Sequence, residues 1–356
     1  MYKILVINPG STSTKIALFE DDKNVFSKNL QHCSEELKRF KKITEQYEFR
    51  KEIILKALHE AGIAINSLHA VVGRGGMLRP IPSGVYEINE LMKKDLSECR
   101  RGEHASNLGA FIAEDVAKSV GKNCHAFISD PVVVDEMQDI ARVSGHPAFK
   151  RFSVFHALNQ KAIAKIHAKK CGKTYEEMNL IIAHLGGGIS IGAHYKGRVI
   201  DVNDAVGGEG PFSPERAGSV PCLALAELCF SGNYSLEQVK KMLVGGGGLI
   251  AHLGTNQFKE VETLVLQGEP KATLIHQAMV YNCAKYIGAM AIPLHGKIDG
   301  ILLTGGIAYN PYFVKLLSEM VEWLAPVTAY PGEDEMAALA ANGLAVLRGE
   351  MEVKVY

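Results

Sequence analysis

The chain opens on an apolar run, Lys3-Ile4-Leu5-Val6-Ile7. It breaks into small and hydroxylated residues at Asn8-Pro9-Gly10-Ser11-Thr12-Ser13-Thr14, then resumes at Lys15-Ile16-Ala17-Leu18-Phe19 before the polar turn Asp21-Asp22-Lys23-Asn24. Short apolar runs bounded by turn residues predict strands, so this segment reads as a β-hairpin with an elaborate tip. A charged, helix-period stretch follows from Ser34 to about Ala61, then a short strand at Leu68 to Val72. Helix and strand alternate from there: a helix over Asn107 to Val120, a strand over Ala126 to Ser129 ending at Asp130-Pro131, and a helix over Arg151 to Ala168.

The second half starts in the same way. Asn179-Leu180-Ile181-Ile182-Ala183 leads into His184-Leu185-Gly186-Gly187-Gly188, then Ile189-Ser190-Ile191-Gly192-Ala193-His194-Tyr195 and the turn Lys196-Gly197. Asn8 falls on His184, an offset of 176 residues in a chain of 356, so one hairpin unit occurs twice at half-length spacing. A long helix after Pro270, at about Lys271 to Ala291, a strand at Gly300 to Thr304 and the turn Gly305-Gly306 continue the second copy. A period this long is no solenoid repeat. It predicts an α/β fold of two related lobes facing a cleft, with an N-terminal lobe over residues 1–150 and a C-terminal lobe over 151–356, the last helix able to pack back on the first lobe. The run Gly245-Gly246-Gly247-Gly248 follows the helix-like Ser235 to Val244 and reads as a helix cap and flexible loop.

Composition narrows the function. Hydrophobic residues at 47% and charged residues at 22% place the chain among fully folding globular proteins. Lys plus Arg and Asp plus Glu are 39 each, so no net field draws the chain to nucleic acid or an anionic membrane, and a small-molecule partner is the default. The seven cysteines are scattered without a Cys-x-x-Cys pair, which reads as reduced thiols in a cytoplasmic protein. No uncharged apolar run reaches the roughly 18 residues of a membrane span.

Both hairpin tips suit an anion, because glycine lets backbone N–H groups approach closely and Ser11, Thr12, Ser13 and Thr14 add hydroxyl donors. Strand-period residues follow each tip, whereas Walker A and Rossmann loops open helices. Two such hairpins would grip an ATP phosphate chain from opposite sides. Phosphoryl transfer also needs cations and a carboxylate for Mg²⁺. Candidates at strand ends are Arg74 in Val72-Gly73-Arg74-Gly75-Gly76, Asp130 before a proline, and Arg216 in Ser213-Pro214-Glu215-Arg216-Ala217-Gly218. His104 and His156 lie on or near apolar helical patterns.

With these motifs in order, from Ile7-Asn8-Pro9-Gly10-Ser11 through Ala183-His184-Leu185-Gly186-Gly187-Gly188 to Pro331-Gly332-Glu333-Asp334-Glu335, the chain resembles the acetate and butyrate kinase family, its butyrate-kinase branch most of all. That family belongs to the sugar kinase, heat-shock protein and actin superfamily, and the resemblance implies two actin-like, ribonuclease H-like lobes. It implies reversible transfer of the γ-phosphoryl of ATP to butyrate or a similar short-chain or branched acid, with Mg²⁺, giving an acyl phosphate and ADP. By the same resemblance Asn8, Ser11 and Ser13 lie beside the phosphates, Arg74 binds the substrate carboxylate and the transferring phosphoryl, and Asp130 supports Mg²⁺. His156, after Phe155, steadies the transition state, Arg216 is the second arginine, and His104 belongs to the acyl region. Nucleotide contacts fall to His184, Gly186, Gly187, Gly188, Gly306, Ile307 and Asn310, and a late acidic residue near Mg²⁺ to Glu335 within Glu333-Asp334-Glu335. Relatives associate, so a homodimer or higher homo-oligomer is expected.

Acetate kinases carry Gly-His-Arg-Val-Val-His-Gly-Gly where this chain has Val72-Gly73-Arg74-Gly75-Gly76, which implies a wider acyl pocket here at Gly75 and Gly76. Gly187 stands where they have asparagine, and Gln257-Phe258-Lys259 is the nearest match to their ribose-region acid and arginine. Competing readings are an acetate or propionate kinase of the same family, a non-catalytic actin-like nucleotide-binding protein, and a sugar kinase with a catalytic Asp. A Rossmann dehydrogenase is disfavoured because neither glycine loop opens a helix.

Overall fold

A seven-stranded and a five-stranded sheet carry the chain. The structure, a computed structural model, describes residues 1–100 and 102–356, with Ser34 described by its backbone alone. Two compact units emerge, one of Met1–Val134 with Asp334–Tyr356 and one of Asp135–Glu333.

In the first unit β1 (Lys3–Pro9), β2 (Ser13–Glu20) and β3 (Lys23–Gln31) form an antiparallel meander. Parallel to β1 lies β4 (Ala70–Arg74), and β6 (His125–Ser129) is parallel to β4, with β5 (Val85–Glu87) antiparallel beyond it and the terminal strand Val353–Lys354 at the edge. The second unit repeats the plan. β7 (Asn179–Leu185), β8 (Ile189–Tyr195) and β9 (Arg198–Val202) are the meander, β10 (Gly300–Gly305) is parallel to β7, and β11 (Val327–Pro331) to β10. Even the register slip recurs, at Leu18/Phe19 in one meander and Ala193/His194 in the other. The repeated hairpin read from sequence is a repeated five-strand topology.

Burial explains the strands. β1, β7 and β10 are buried along nearly their whole length, with Ile, Leu, Val and Ala predominating between polar ends, because both faces are covered, as central strands of such sheets require. Helix Leu108–Val120 packs on β4 at glycine contact distance: a Cβ on Gly73 would lie 2.3 Å from the Gly109 carbonyl oxygen, and one on Gly109 2.2 Å from that of Arg74. Helix Glu335–Leu347 lies on β1 and β4, with Gly343 against Val72. Helix Pro270–Met290 buries Met279, Val280, Cys283 and Ile287 in the core of the second unit.

Three local readings change. The stretch 34–61 is broken into Ser34–Leu37, a 3₁₀ turn Ile43–Gln46 and helix Tyr47–Glu60. Between them Lys38, Arg39, Lys41 and Lys42 crowd like charges at helical neighbour spacing, which disfavours continuation. The helix read from Arg151 starts only at Ala157, because Arg151 is held by Asp201, Glu209 and the carbonyls of Ala141 and Val202. The four-glycine run is no free loop: the N–H groups of Gly245 and Gly247 donate to the Glu215 carbonyl, and a Cβ on Gly248 would lie 1.7 Å from the Ser213 carbonyl oxygen. Among the described residues no helix is long and apolar enough to cross a membrane.

Candidate functional site

In the first unit, the ends of β1 and β4 meet the start of the last helix. Arg74, the final residue of β4, forms a two-pronged ion pair with Glu335, Nη2 to Oε1 at 2.9 Å and Nη1 to Oε2 at 3.0 Å. Asn8 joins both: its Nδ2 donates to Glu335 Oε2 at 2.7 Å, and its Oδ1 accepts from Arg74 Nη1 at 3.4 Å. Glu335 occupies the first turn of its helix, where the backbone dipole favours an anion, and Asp334 caps that helix by accepting from the Ala337 N–H. His104 caps the 3₁₀ turn Ala105–Asn107 through Nδ1. Partial desolvation and then the charge of Arg74 push its pKa below the usual 6.5, against an opposing pull from Glu335. Asn8, Arg74, His104 and Glu335 thus form one polar cluster.

Asp130 follows β6 with a left-handed backbone, φ 37°. Such a residue persists only where its surroundings fix it. Here Oδ1 accepts from Ser83 Oγ at 2.6 Å and the Gly84 N–H at 2.9 Å, and Oδ2 from Asn342 Nδ2 at 3.2 Å.

The first hairpin tip holds Ser11 and Ser13 at the surface, and its floor is a residue the sequence reading missed. Arg50, fully buried, donates to the carbonyls of Gly10 (2.7 Å), Ser11 (3.1 Å) and Ser13 (3.2 Å) and to Thr14 Oγ1, while Gln46 Oε1 braces the guanidinium. Burial lowers its pKa to about 10, so it stays cationic at neutral pH. The carbonyls of the tip are turned onto this charge. Only the helical position of Arg50 was visible in sequence; the contact spans some forty residues.

At Gly75 and Gly76, where a wider acyl pocket is expected, the space that each Cβ would take is occupied by neighbours. A Cβ on Gly75 would lie 2.7 Å from Pro131 Cβ, and one on Gly76 2.4 Å from Asn107 Oδ1. These glycines permit close packing.

In the second unit His156, at the N-cap of helix Ala157–Lys170, stacks on His184, the ring centroids 3.7 Å apart and 8° from parallel. Phe155 beside it is core. His184 Nδ1 lies 2.8 Å from Asn159 Oδ1 and Nε2 3.5 Å from Glu333 Oε2. The second tip, Gly186 to Gly188, is tied to the loop bearing Arg216: Ser213 Oγ donates to the Gly187 carbonyl at 2.6 Å, and Arg216 lies so close over Gly188 that a Cβ there would be 1.9 Å from Nη1. Arg216 donates to the Ala205 carbonyl, and burial lowers its pKa against the opposing charges of Glu215 and Asp204. After β10, Gly306 and Ile307 form a 3₁₀ turn ending at Asn310. Asn310 Oδ1 caps the next helix at Phe313 N–H, while its Nδ2 is buried with no partner among the described residues. An unpaired buried donor costs about 1–3 kcal/mol, so an acceptor placed beside it would be stabilising.

Mg²⁺ prefers hard oxygens, keeps several waters, and takes one or two carboxylates plus substrate phosphates. Among the described residues no three His, Cys, Asp or Glu side chains converge as a metal cage. Asp130 and Glu335 supply carboxylate oxygens suited to an ion that arrives with a nucleotide, and Asp130 Oδ2 carries only the longer amide contact among those described.

Known proteins match this architecture. The acetokinase family model matches residues 146–326. A protein of Phocaeicola vulgatus described as a probable butyrate kinase is 54% identical over 354 residues, covering 99% of both chains. Among solved structures, the acetate kinase of Porphyromonas gingivalis superposes with a TM-score of 0.80 at 19% identity, over 98% of this chain and 100% of that one. A propionate kinase from Francisella tularensis gives 0.74 at 18%, over 96% and 99%. At such identities the likeness speaks for the fold: the two related α/β lobes expected from the duplicated hairpin, with the actin-like form that the family resemblance implied.

Proposed function

The chain belongs to the acetokinase family, and from that premise we propose that it transfers the γ-phosphoryl of ATP reversibly to butyrate or a similar short-chain or branched acid. The products are an acyl phosphate and ADP. The 54% identity with a probable butyrate kinase, sustained over 99% of both chains, carries the reading. The geometry supports it through Arg74, whose guanidinium already grips a carboxylate with both prongs.

A carboxylate is ionised at neutral pH, so its oxygen attacks the γ-phosphorus in line without a general base. Bond formation to that oxygen accompanies loss of the bond to the ADP oxygen. The protein's task is to hold two anions together and offset charge on the group in flight. Arg74 presents a planar fork that the acid's two oxygens can take over from Glu335, as one carboxylate replaces another. Asn8, Ser11 and Ser13 serve the phosphates from the first tip and Gly186, Gly187 and Gly188 from the second. His156 and Arg216 stabilise the transferring phosphoryl, and Gly306, Ile307 and Asn310 attend the nucleoside, with the unpaired Asn310 Nδ2 supporting that assignment. Asp130 and Glu335 would hold Mg²⁺, which when bound supplies neutralisation of phosphate charge.

A homo-oligomer is part of the proposal. Helix Cys222–Phe230 buries none of its residues and leaves Leu223 and Phe230 exposed, an apolar face that association would cover. Cytoplasmic placement accords with the free thiols of the chain.

Trapping with hydroxylamine tests the reading. ATP plus butyrate should yield butyryl hydroxamate, whereas nucleotide binding without product would indicate a non-catalytic relative, and phosphorylation of glucose a sugar kinase.

A further inference from the structure

We infer that Gln160 and Ser190 are positioning residues for His156: a buried chain of hydrogen bonds, each with a fixed direction, puts the proton of the neutral His156 ring on Nε2. The inference rests on the proposed role of His156 at the transferring phosphoryl.

Gln160, Ser190 and His194 are all fully buried. Gln160 Nε2 lies 3.0 Å from the Ser190 carbonyl oxygen and 2.8 Å from Ser190 Oγ. A carbonyl only accepts, so the amide NH₂ must face Ser190 and the amide oxygen must face the other way. That oxygen lies 2.9 Å from His194 Nε2, which therefore carries a proton. Burial, reinforced by the charge of Lys161, holds the His194 pKa well below 6.5, so the ring is neutral and its Nδ1 accepts. The Tyr175 hydroxyl, 2.6 Å away, donates to it.

The same logic runs toward the site. Ser190 Oγ receives the Gln160 Nε2–H and, at 3.4 Å, the backbone N–H of His156. With both acceptor positions occupied, the hydroxyl proton goes to its remaining neighbour, His156 Nδ1, at 2.9 Å. Nδ1 is then an acceptor, and the neutral ring bears its hydrogen on Nε2, at the ring edge away from Ser190. The stacked His184 ring, 3.7 Å away centroid to centroid, fixes the plane of the His156 ring. An Nε2–H held in one tautomer is a preorganised donor for a phosphoryl oxygen and needs no proton from solvent before each turnover.

Nitrogen-15 correlation spectra of the histidine-labelled full chain at pH 8 read the tautomer directly, the His156 signals being assigned by their loss in His156→Gln. The expected spectrum has His156 Nε2 protonated and Nδ1 unprotonated, and a ring protonated on Nδ1 in the unsubstituted chain would overturn the relay. Ser190→Ala and Gln160→Met should each turn His156 into a tautomer mixture and lower kcat roughly 10-fold, while KM for ATP and acid moves less than about 3-fold. An unmixed Nε2–H signal with full kcat in both variants would also overturn it. Failure of the parent reading has its own mark, an undiminished kcat in His156→Gln, which the tautomer measurement does not depend on.

Discussion

Arg74 and Glu335 lie 261 residues apart in sequence, yet their side chains share two parallel hydrogen bonds, at 2.9 and 3.0 Å. The pair occupies the fork of Arg74 with a carboxylate of the protein's own. It separates two roles for Glu335. If Glu335 both releases Arg74 and helps hold Mg²⁺, Glu335→Gln should lower kcat and raise the Mg²⁺ concentration needed for half-maximal rate. If it only occupies Arg74, the substitution should lower KM for the acid and leave kcat alone. The first outcome is expected, and a Mg²⁺ titration of initial rates decides.

Arg74→Ala should lower kcat about 10²–10³-fold, the scale of losing one charge-stabilising group. Arg74→Lys should recover only part of that, because an ammonium cannot reproduce the two-pronged contact. Equal rates for the lysine and wild-type chains would show that the fork geometry is irrelevant.

Arg216 and Gly188 should behave as a unit. Arg216→Ala is expected to leave the fold intact, by circular dichroism and thermal melting, and to reduce kcat strongly. Gly188→Ala keeps the arginine but pushes a methyl into its guanidinium, so it should reproduce much of that loss. The double variant should be little worse than either single one; additive losses would dissociate the two residues.

Arg50 is expected to act through the first tip. Arg50→Met removes the donor for three loop carbonyls, which should destabilise the chain by about 1–3 kcal/mol in urea and raise KM for ATP roughly 10-fold. Destabilisation with an unchanged KM for ATP would confine Arg50 to folding.

Acid should weaken the fold through His32. Its Nε2 meets Thr14 Oγ1 at 2.8 Å, its Nδ1 is buried without a partner among the described residues, and burial followed by the charge of Arg50 lowers its pKa from 6.5 to about 4, with Glu36 opposing. The folded ring is therefore neutral where the unfolded one is protonated. Its contribution is full above about pH 6.5 and is lost as pH falls toward 4. Urea midpoints should drop between pH 7 and pH 5, and His32→Asn should flatten that drop; an identical slope in the variant would exclude His32.

Much of this architecture was legible in the sequence, and what was missed has a common cause. The two hairpins could be read because an apolar strand, a glycine-rich tip and a second strand are local patterns, and their recurrence at 176 residues pointed to duplication. Arg74 and Asp130 stood out because they end apolar runs, and His184 through the resemblance of its glycine motif. Arg50 did not, since one arginine in a charged helix resembles a solvated face until its contacts with Gly10 and Ser13 are known. At Gly75 and Gly76 the missing side chains were visible in sequence, but not that Pro131 and Asn107, distant in sequence, pack into the positions a Cβ would take. Ser190 and Gln160 were hidden as ordinary polar residues in a strand and a helix. Local chemistry marks the positions of charges, and long-range packing decides what each one touches.

The central assignment is best tested by trapping acyl phosphate as hydroxamate across straight and branched acids of two to six carbons, comparing kcat/KM with saturating ATP and Mg²⁺. A maximum at a four-carbon acid, falling away in graded steps on both sides and abolished in Arg74→Ala, is the expected result. An optimum at acetate would contradict the choice of acid, and no hydroxamate with any member of the series would contradict carboxylate phosphorylation itself.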